Sequence, residues 1–152
     1  MNQNSAAELN RVDCDRGFAF PNLFSPVSED VFFSDYWEKR QLIVSRTQPD
    51  YFKSLSSLAD VDLLIALSKP YPNEQTIRLV KSVDGNLVSK GYPLLDDGSA
   101  DIHVIYNSFH DGFTLILNRL HSRWDPIARL AANVEWHLRH RIGVNMYISP
   151  AN

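Results

Sequence analysis

Gly143-Val-Asn-Met-Tyr-Ile-Ser149 is the stretch on which the reading of this chain turns. Its residues alternate without a fault, with Val144, Met146 and Ile148 on one side and Asn145, Tyr147 and Ser149 on the other. That pattern predicts a strand with one core-facing side and one side of three hydrogen-bonding groups. Such a polar side is ordinarily the solvent face of a half-buried sheet. Alternation alone does not choose between that role and the wall of a pocket.

Working outward, the stretch just before it predicts a long helix. Asp125 is an N-cap followed by Pro126 at the first helical position, and Ile127, Leu130, Ala131, Val134 and Leu138 form one apolar stripe. Glu135 and Arg139 are four apart in the favourable order, Arg139, His140 and Arg141 crowd the negative end of the helix dipole, and Gly143 terminates the run. A stripe of this kind suits a helix that covers a sheet. Further upstream, Thr76 to Ser82 alternates, Asp84-Gly85 supplies a hairpin turn, and Leu87 to Ser89 returns. Ile102 to Tyr106 and Phe113 to Leu117 read as two more strands around a turn at Asp111-Gly112.

The first half is helical in character. Residues 1–17 form a polar lead-in, poorly ordered or weakly helical, and carry no function. Phe18, Phe20, Leu23 and Phe24 then bring apolar weight, and Ser28 caps a helix running through Phe33 to Trp37 with Phe32 and Tyr36 on its buried face. Gln41 to Arg46 reads as a short β-branched strand, Asp50 opens a helical turn, and Asp60 caps a helix ended by Pro70 and Pro72. Helices first, then strands with one long helix inserted, make the fold class α+β, with residues 18–152 as one unit.

Composition narrows the function. The 152 residues carry a net charge of −3, so nothing global recruits nucleic acid or an anionic membrane. The arginines between residues 119 and 141 are interspersed along a loop and an amphipathic helix, which is the ordinary solvated face of such a helix. Cys14 is the only cysteine, which excludes an internal disulfide and fits a reducing, cytoplasmic setting. The longest apolar run, Leu63 to Leu67, is far below the ~20 residues of a membrane span.

Four segments taken in order carry a resemblance: Asp35-Tyr-Trp-Glu-Lys-Arg-Gln-Leu-Ile-Val44, Asp111-Gly-Phe-Thr-Leu-Ile-Leu-Asn118, Trp124-Asp-Pro-Ile-Ala128 and Asn145-Met-Tyr-Ile-Ser-Pro150. Over roughly Phe24 to Asn152 the chain resembles the N-terminal half of the JmjC-type cupin oxygenases, the ribosomal-oxygenase-like group. Gln41 stands where that group usually has a proline. The resemblance implies a helical lead-in, the first strands of a double-stranded β-helix or jelly-roll, Fe(II) and 2-oxoglutarate as cofactors, and hydroxylation of a side chain on a protein. It places Asn145 and Tyr147 in the pocket near co-substrate and target side chain, as positioners and not as catalytic groups.

In that group a His-x-Asp pair follows the Asn-x-Tyr strand and a second histidine comes later, together holding the metal. No His-x-Asp occurs in these 152 residues. The expectation is therefore an incomplete barrel that binds neither iron nor 2-oxoglutarate alone and is inactive alone. His103, His110, His121, His137, His140 and Asp111 are the metal-ligand types available for a self-contained site. His110 and Asp111 are adjacent and beside a turn glycine, while His137 and His140 fit the end of a helix, so no such site is expected. Trp37, Trp124 and Trp136 read as core or interface anchors. The competing reading is a non-catalytic interaction or assembly module that buries open sheet edges against a complementary C-terminal half or a second copy of itself.

Overall fold

The computed structural model describes residues 17–69 and 74–151. Nearly all of the lead-in expected over residues 1–17, with Cys14, lies outside the described residues, as do Pro70 and Pro72. The helices are α1, Glu29–Val31, which continues into a π-helical turn at Phe32–Tyr36; α2, Val61–Leu67; α3, Ile102–His110; and α4, Asp125–Leu138. The strands are β1, Ile77–Val83; β2, Asn86–Lys90; β3, Thr114–Leu117; and β4, Met146–Ile148. They form an open antiparallel sheet in the order β2-β1-β3-β4, so the class is α+β. Among the described residues no helix is long and apolar enough to cross a membrane.

The chain divides into two compact units, one containing Ser57–Ala128 and the segment from Gly143, the other the described residues up to Ser56 with Arg129–Ile142. In the second of these, aromatic rings make the interior. Phe20 and Phe24 are buried, and Phe32 stacks on Phe24 with ring centroids 4.4 Å apart. Ser28 caps α1 as expected, its hydroxyl accepting from the Val31 N–H at 3.3 Å. Along Arg129–Leu138, α4 meets the Phe20 segment: Asn133 Oδ1 accepts from the Phe20 N–H at 2.7 Å, and the His137 ring stacks on Phe20 at 4.7 Å.

Residues 41–46 do not form the expected strand; among the described residues they have no ladder partner, and Ile43 is 78% exposed. β-branching makes a segment suited to a sheet, but pairing requires an edge to pair with. What this stretch delivers instead is Arg46. Its guanidinium donates to the carbonyls of Asn22, Leu23 and Ser25 and lies over the Tyr51 ring at 4.4 Å. A single nitrogen, Nη2, thereby reaches three carbonyls of the Asn22–Ser25 turn.

The sheet unit follows the sequence more closely, with one exchange of class. The hairpin forms as expected, with positive φ at Asp84 (50°) and Gly85 (79°), the combination a two-residue type I′ turn demands. Ile102 to Tyr106, expected as a strand, is the first half of α3. Asp101 decides this, because its carboxylate accepts from the N–H groups of His103 (2.9 Å) and Val104 (3.4 Å) and so opens a helix. Ile105 and Ser108 are then buried at helical spacing, and α3 packs on β1 and β3. Ser108 satisfies its hydroxyl on the Val104 carbonyl at 2.7 Å.

Helix ends also depart from expectation. Asp60 does not cap α2 with its side chain; its carboxylate turns back to Ser57, accepting from both the N–H and the hydroxyl. α4 stops at Leu138, five residues before Gly143, because Arg139 adopts a left-handed φ of 58°. Glu135 accepts from the Ile142 N–H at 2.9 Å, and the Arg139 guanidinium lies 4.2 Å above Trp136, which is 65% exposed and so no core anchor.

The Asp101 cap carries a direct test. Asp101→Ala should lower unfolding free energy by about 1 kcal/mol in a urea titration, with Asp101→Asn retaining most of the stability. Equal stability of the Ala variant would mean that α3 is held by packing alone.

Candidate functional site

The register across three strands fixes which side chains share the Tyr147 face, on which Ile116 is buried. Arg78, Ile116 and Tyr147 stand opposite one another on β1, β3 and β4, and Leu79, Leu115 and Ile148 form the neighbouring row. Since direction alternates along a strand, these rows lie on opposite faces. Leu79 and Leu115 are almost fully buried, whereas Tyr147 is 64% exposed. Ser149 shares the Tyr147 face, as its hydroxyl bond to Thr114 at 2.9 Å confirms. The two-sided character read from the sequence therefore exists, but only Met146–Ile148 are laddered; Gly143 to Asn145 run up to the sheet as extended chain.

That run-up is held by three hydrogen bonds to the turn after β3. Arg119 is left-handed (φ 53°), and its N–H is accepted by Asn145 Oδ1 at 2.9 Å. The Leu120 N–H donates to the Val144 carbonyl at 2.8 Å, and the Val144 N–H donates to His121 Nδ1 at 3.1 Å. Nearby, the Arg119 guanidinium pairs with Glu74, and Asn118 Nδ2 donates to the Gln75 carbonyl at 2.7 Å. Asn145 and Tyr147 are thus both on exposed chain at one end of the sheet, with the Asn145 carbonyl oxygen already engaged and its N–H2 group left as the donor.

The metal-ligand types do not converge. Among the described residues no three His, Cys, Asp or Glu side chains stand close enough to share an ion. His121 is turned to a backbone N–H, and His137 sits between the Asn133 carbonyl (2.8 Å, Nδ1) and Glu29 (3.5 Å, Nε2). His103, His110 and His140 are exposed, the last beyond the end of α4. The residues present do not fit an iron site of two histidines and a carboxylate.

Two features on the opposite, apolar side of the sheet have no signal in the sequence. Leu58, Val61, Tyr106, Phe109, Leu115 and Ile148 line a cavity of about 150 Å³. At Tyr106 the phenol donates to the Asp62 carboxylate, joining α3 to α2. A strand over residues 102–106 hides this pair, because it takes a helix to bring Tyr106 to the same side as Phe109, three residues on.

Comparison with known proteins bears on the same residues. No family model matches the chain. Ribosomal oxygenase 2 of Mus musculus is 27% identical over 136 residues, covering 87% of this chain and 28% of that protein. The Rattus norvegicus protein of the same name is 26% identical with the same coverage. The bifunctional lysine-specific demethylase and histidyl-hydroxylase NO66 of Drosophila mojavensis is 24% identical over 132 residues, 86% of this chain and 14% of that protein. The ribosomal-oxygenase-like resemblance read from the four segments is therefore found over most of the chain. The chain spans less than a third of the length of these relatives.

The Tyr106 phenol offers a measurement. Donation to Asp62 first, then burial, then the Asp62 charge push it from the ordinary 10.0 up to about 12. Because the folded value lies above the unfolded one, the stabilisation is complete below pH 10 and disappears as pH rises towards 12. Burial also raises Tyr92, so an ultraviolet titration should show a late-titrating component that shrinks in Tyr106→Phe; an unchanged curve would break the assignment.

Proposed function

We propose that these residues are the N-terminal portion of a JmjC/cupin-type, Fe(II)- and 2-oxoglutarate-dependent oxygenase that hydroxylates a protein side chain. On this reading β1, β3 and β4 are among the first strands of a double-stranded β-helix. The observation that carries it is the exposed polar side of β4, Tyr147 with Asn145 beside it, in a chain related along 86–87% of its length to proteins named as oxygenases and hydroxylases. The Asn145 N–H2 group and the Tyr147 phenol would orient co-substrate and target side chain by hydrogen bonds. The metal ligands would come from residues outside these 152, and the chain alone forms no succinate.

The test is complementation. The chain alone should give no iron-dependent succinate, and mixing with a polypeptide carrying the His-x-Asp pair and distal histidine should restore it. In the restored complex Tyr147→Phe should lower turnover about tenfold, the loss of roughly one hydrogen bond to a charged group. A folded complex that forms no succinate would sink the reading.

A second reading, an interaction or assembly module, is favoured by the outer strand of the hairpin. All five residues of β2 are exposed, including Leu87 at 68%, and Leu58 at 82% stands beside the apolar cavity. Open edges and exposed apolar side chains favour association with a complementary half or a second copy. Light scattering coupled to size exclusion should then report a dimer or concentration-dependent association. A monomer at every concentration, with no affinity for the complementary half, would remove this reading.

A further inference from the structure

We propose that His121 is a positioning residue that sets the phase in which Asn145 and Tyr147 enter β4, by presenting an unprotonated Nδ1 to the Val144 N–H. The inference rests on the reading of Asn145 and Tyr147 as site residues. A backbone N–H can only donate, so at 3.1 Å from it Nδ1 is the acceptor and the ring proton sits on Nε2. The Val144 carbonyl meanwhile accepts from the Leu120 N–H at 2.8 Å. Both backbone groups of Val144 are therefore taken by two consecutive residues of one turn, Leu120 through its backbone and His121 through its ring.

Such an anchor is needed because β4 is short. Its ladder consists of Leu115 opposite Ile148, Ile116 opposite Tyr147 and Leu117 opposite Met146. Sliding by one residue would exchange the faces, sending Tyr147 towards the apolar side and Ile148 outward. The apolar residues on β4 are only half-buried, so their burial resists that slip weakly. The Val144 anchor resists it directly, since a one-residue shift would present the Gly143 or Asn145 backbone to a ring fixed by the Leu120–Ser122 turn. Asn145 supplies a third tie through Oδ1 to the Arg119 N–H, which makes its own amide orientation depend on the same phase. In the sequence His121 and Val144 are 23 residues apart, and no spacing rule connects them.

Two measurements on the whole chain test this. In mildly alkaline buffer, long-range proton–nitrogen correlation spectra should show His121 with the proton on Nε2 and Nδ1 as a hydrogen-bonded acceptor. His121→Ala should speed exchange of the Val144 amide about tenfold and remove the proximity of the Tyr147 ring to the Ile116 side chain, while the β1–β2 hairpin amides are unchanged. His121→Asn, whose Oδ1 can reach the place of Nδ1, should restore both. A proton on Nδ1 in the unmodified chain overturns the proposal whatever the variants do. So does an unaltered Val144 exchange rate in a folded His121→Ala chain. Neither readout depends on turnover, so failure of the oxygenase reading by complementation leaves this result standing, and the reverse also holds.

Discussion

Leu79, Leu115 and Ile148 face one another across three neighbouring strands, and the register they share is the constraint from which the described site follows. Burying this row on one side of the sheet sends Arg78, Ile116 and Tyr147 to the other, because side-chain direction has a period of two. The apolar row also supplies the floor on which α3 packs. Losing the register would therefore disturb the packing of a helix and the exposure of the polar face together.

The other unit solves a different problem by different means. Around Phe20, Phe24 and Phe32 the described residues form no ladder, and local turn hydrogen bonds are supplemented by side chains reaching from a distance. Asn133 accepts from Phe20, and Arg46 donates to three carbonyls. Large rings provide contact area, and planar polar groups close the backbone accounts that secondary structure would otherwise close. The tolerance of this segment for a π-helical turn at Phe32–Tyr36 fits an interior of rings more than one of regular ridges and grooves.

At the candidate site the polar groups divide into those that hold the chain and those left to meet something else. His121 Nδ1, Asn145 Oδ1 and the Arg119–Glu74 pair are spent on the turn and its neighbours. The Tyr147 phenol and the Asn145 N–H2 group remain on the exposed side. Resemblance to ribosomal oxygenase 2 and NO66 gives that remainder its interest, and among the described residues no three His, Cys, Asp or Glu side chains converge.

The sequence by itself determined the elements whose signals are local. Asp84-Gly85 specifies its hairpin because few residue pairs accept two positive φ angles, Asp125-Pro126 opens α4, and the alternation around Tyr147 names the two faces of the last strand. The four ordered segments were likewise enough to point to the oxygenase group. What only the tertiary structure decided depends on partners remote in sequence. Gln41 to Arg46 lacked a strand to pair with, and Ile102 to Tyr106 obeyed the Asp101 cap and the sheet beneath it against their β-branched composition. The hold of His121 on Val144 came into being only when the chain folded back, because a hydrogen bond between groups 23 residues apart leaves no period in the sequence to read.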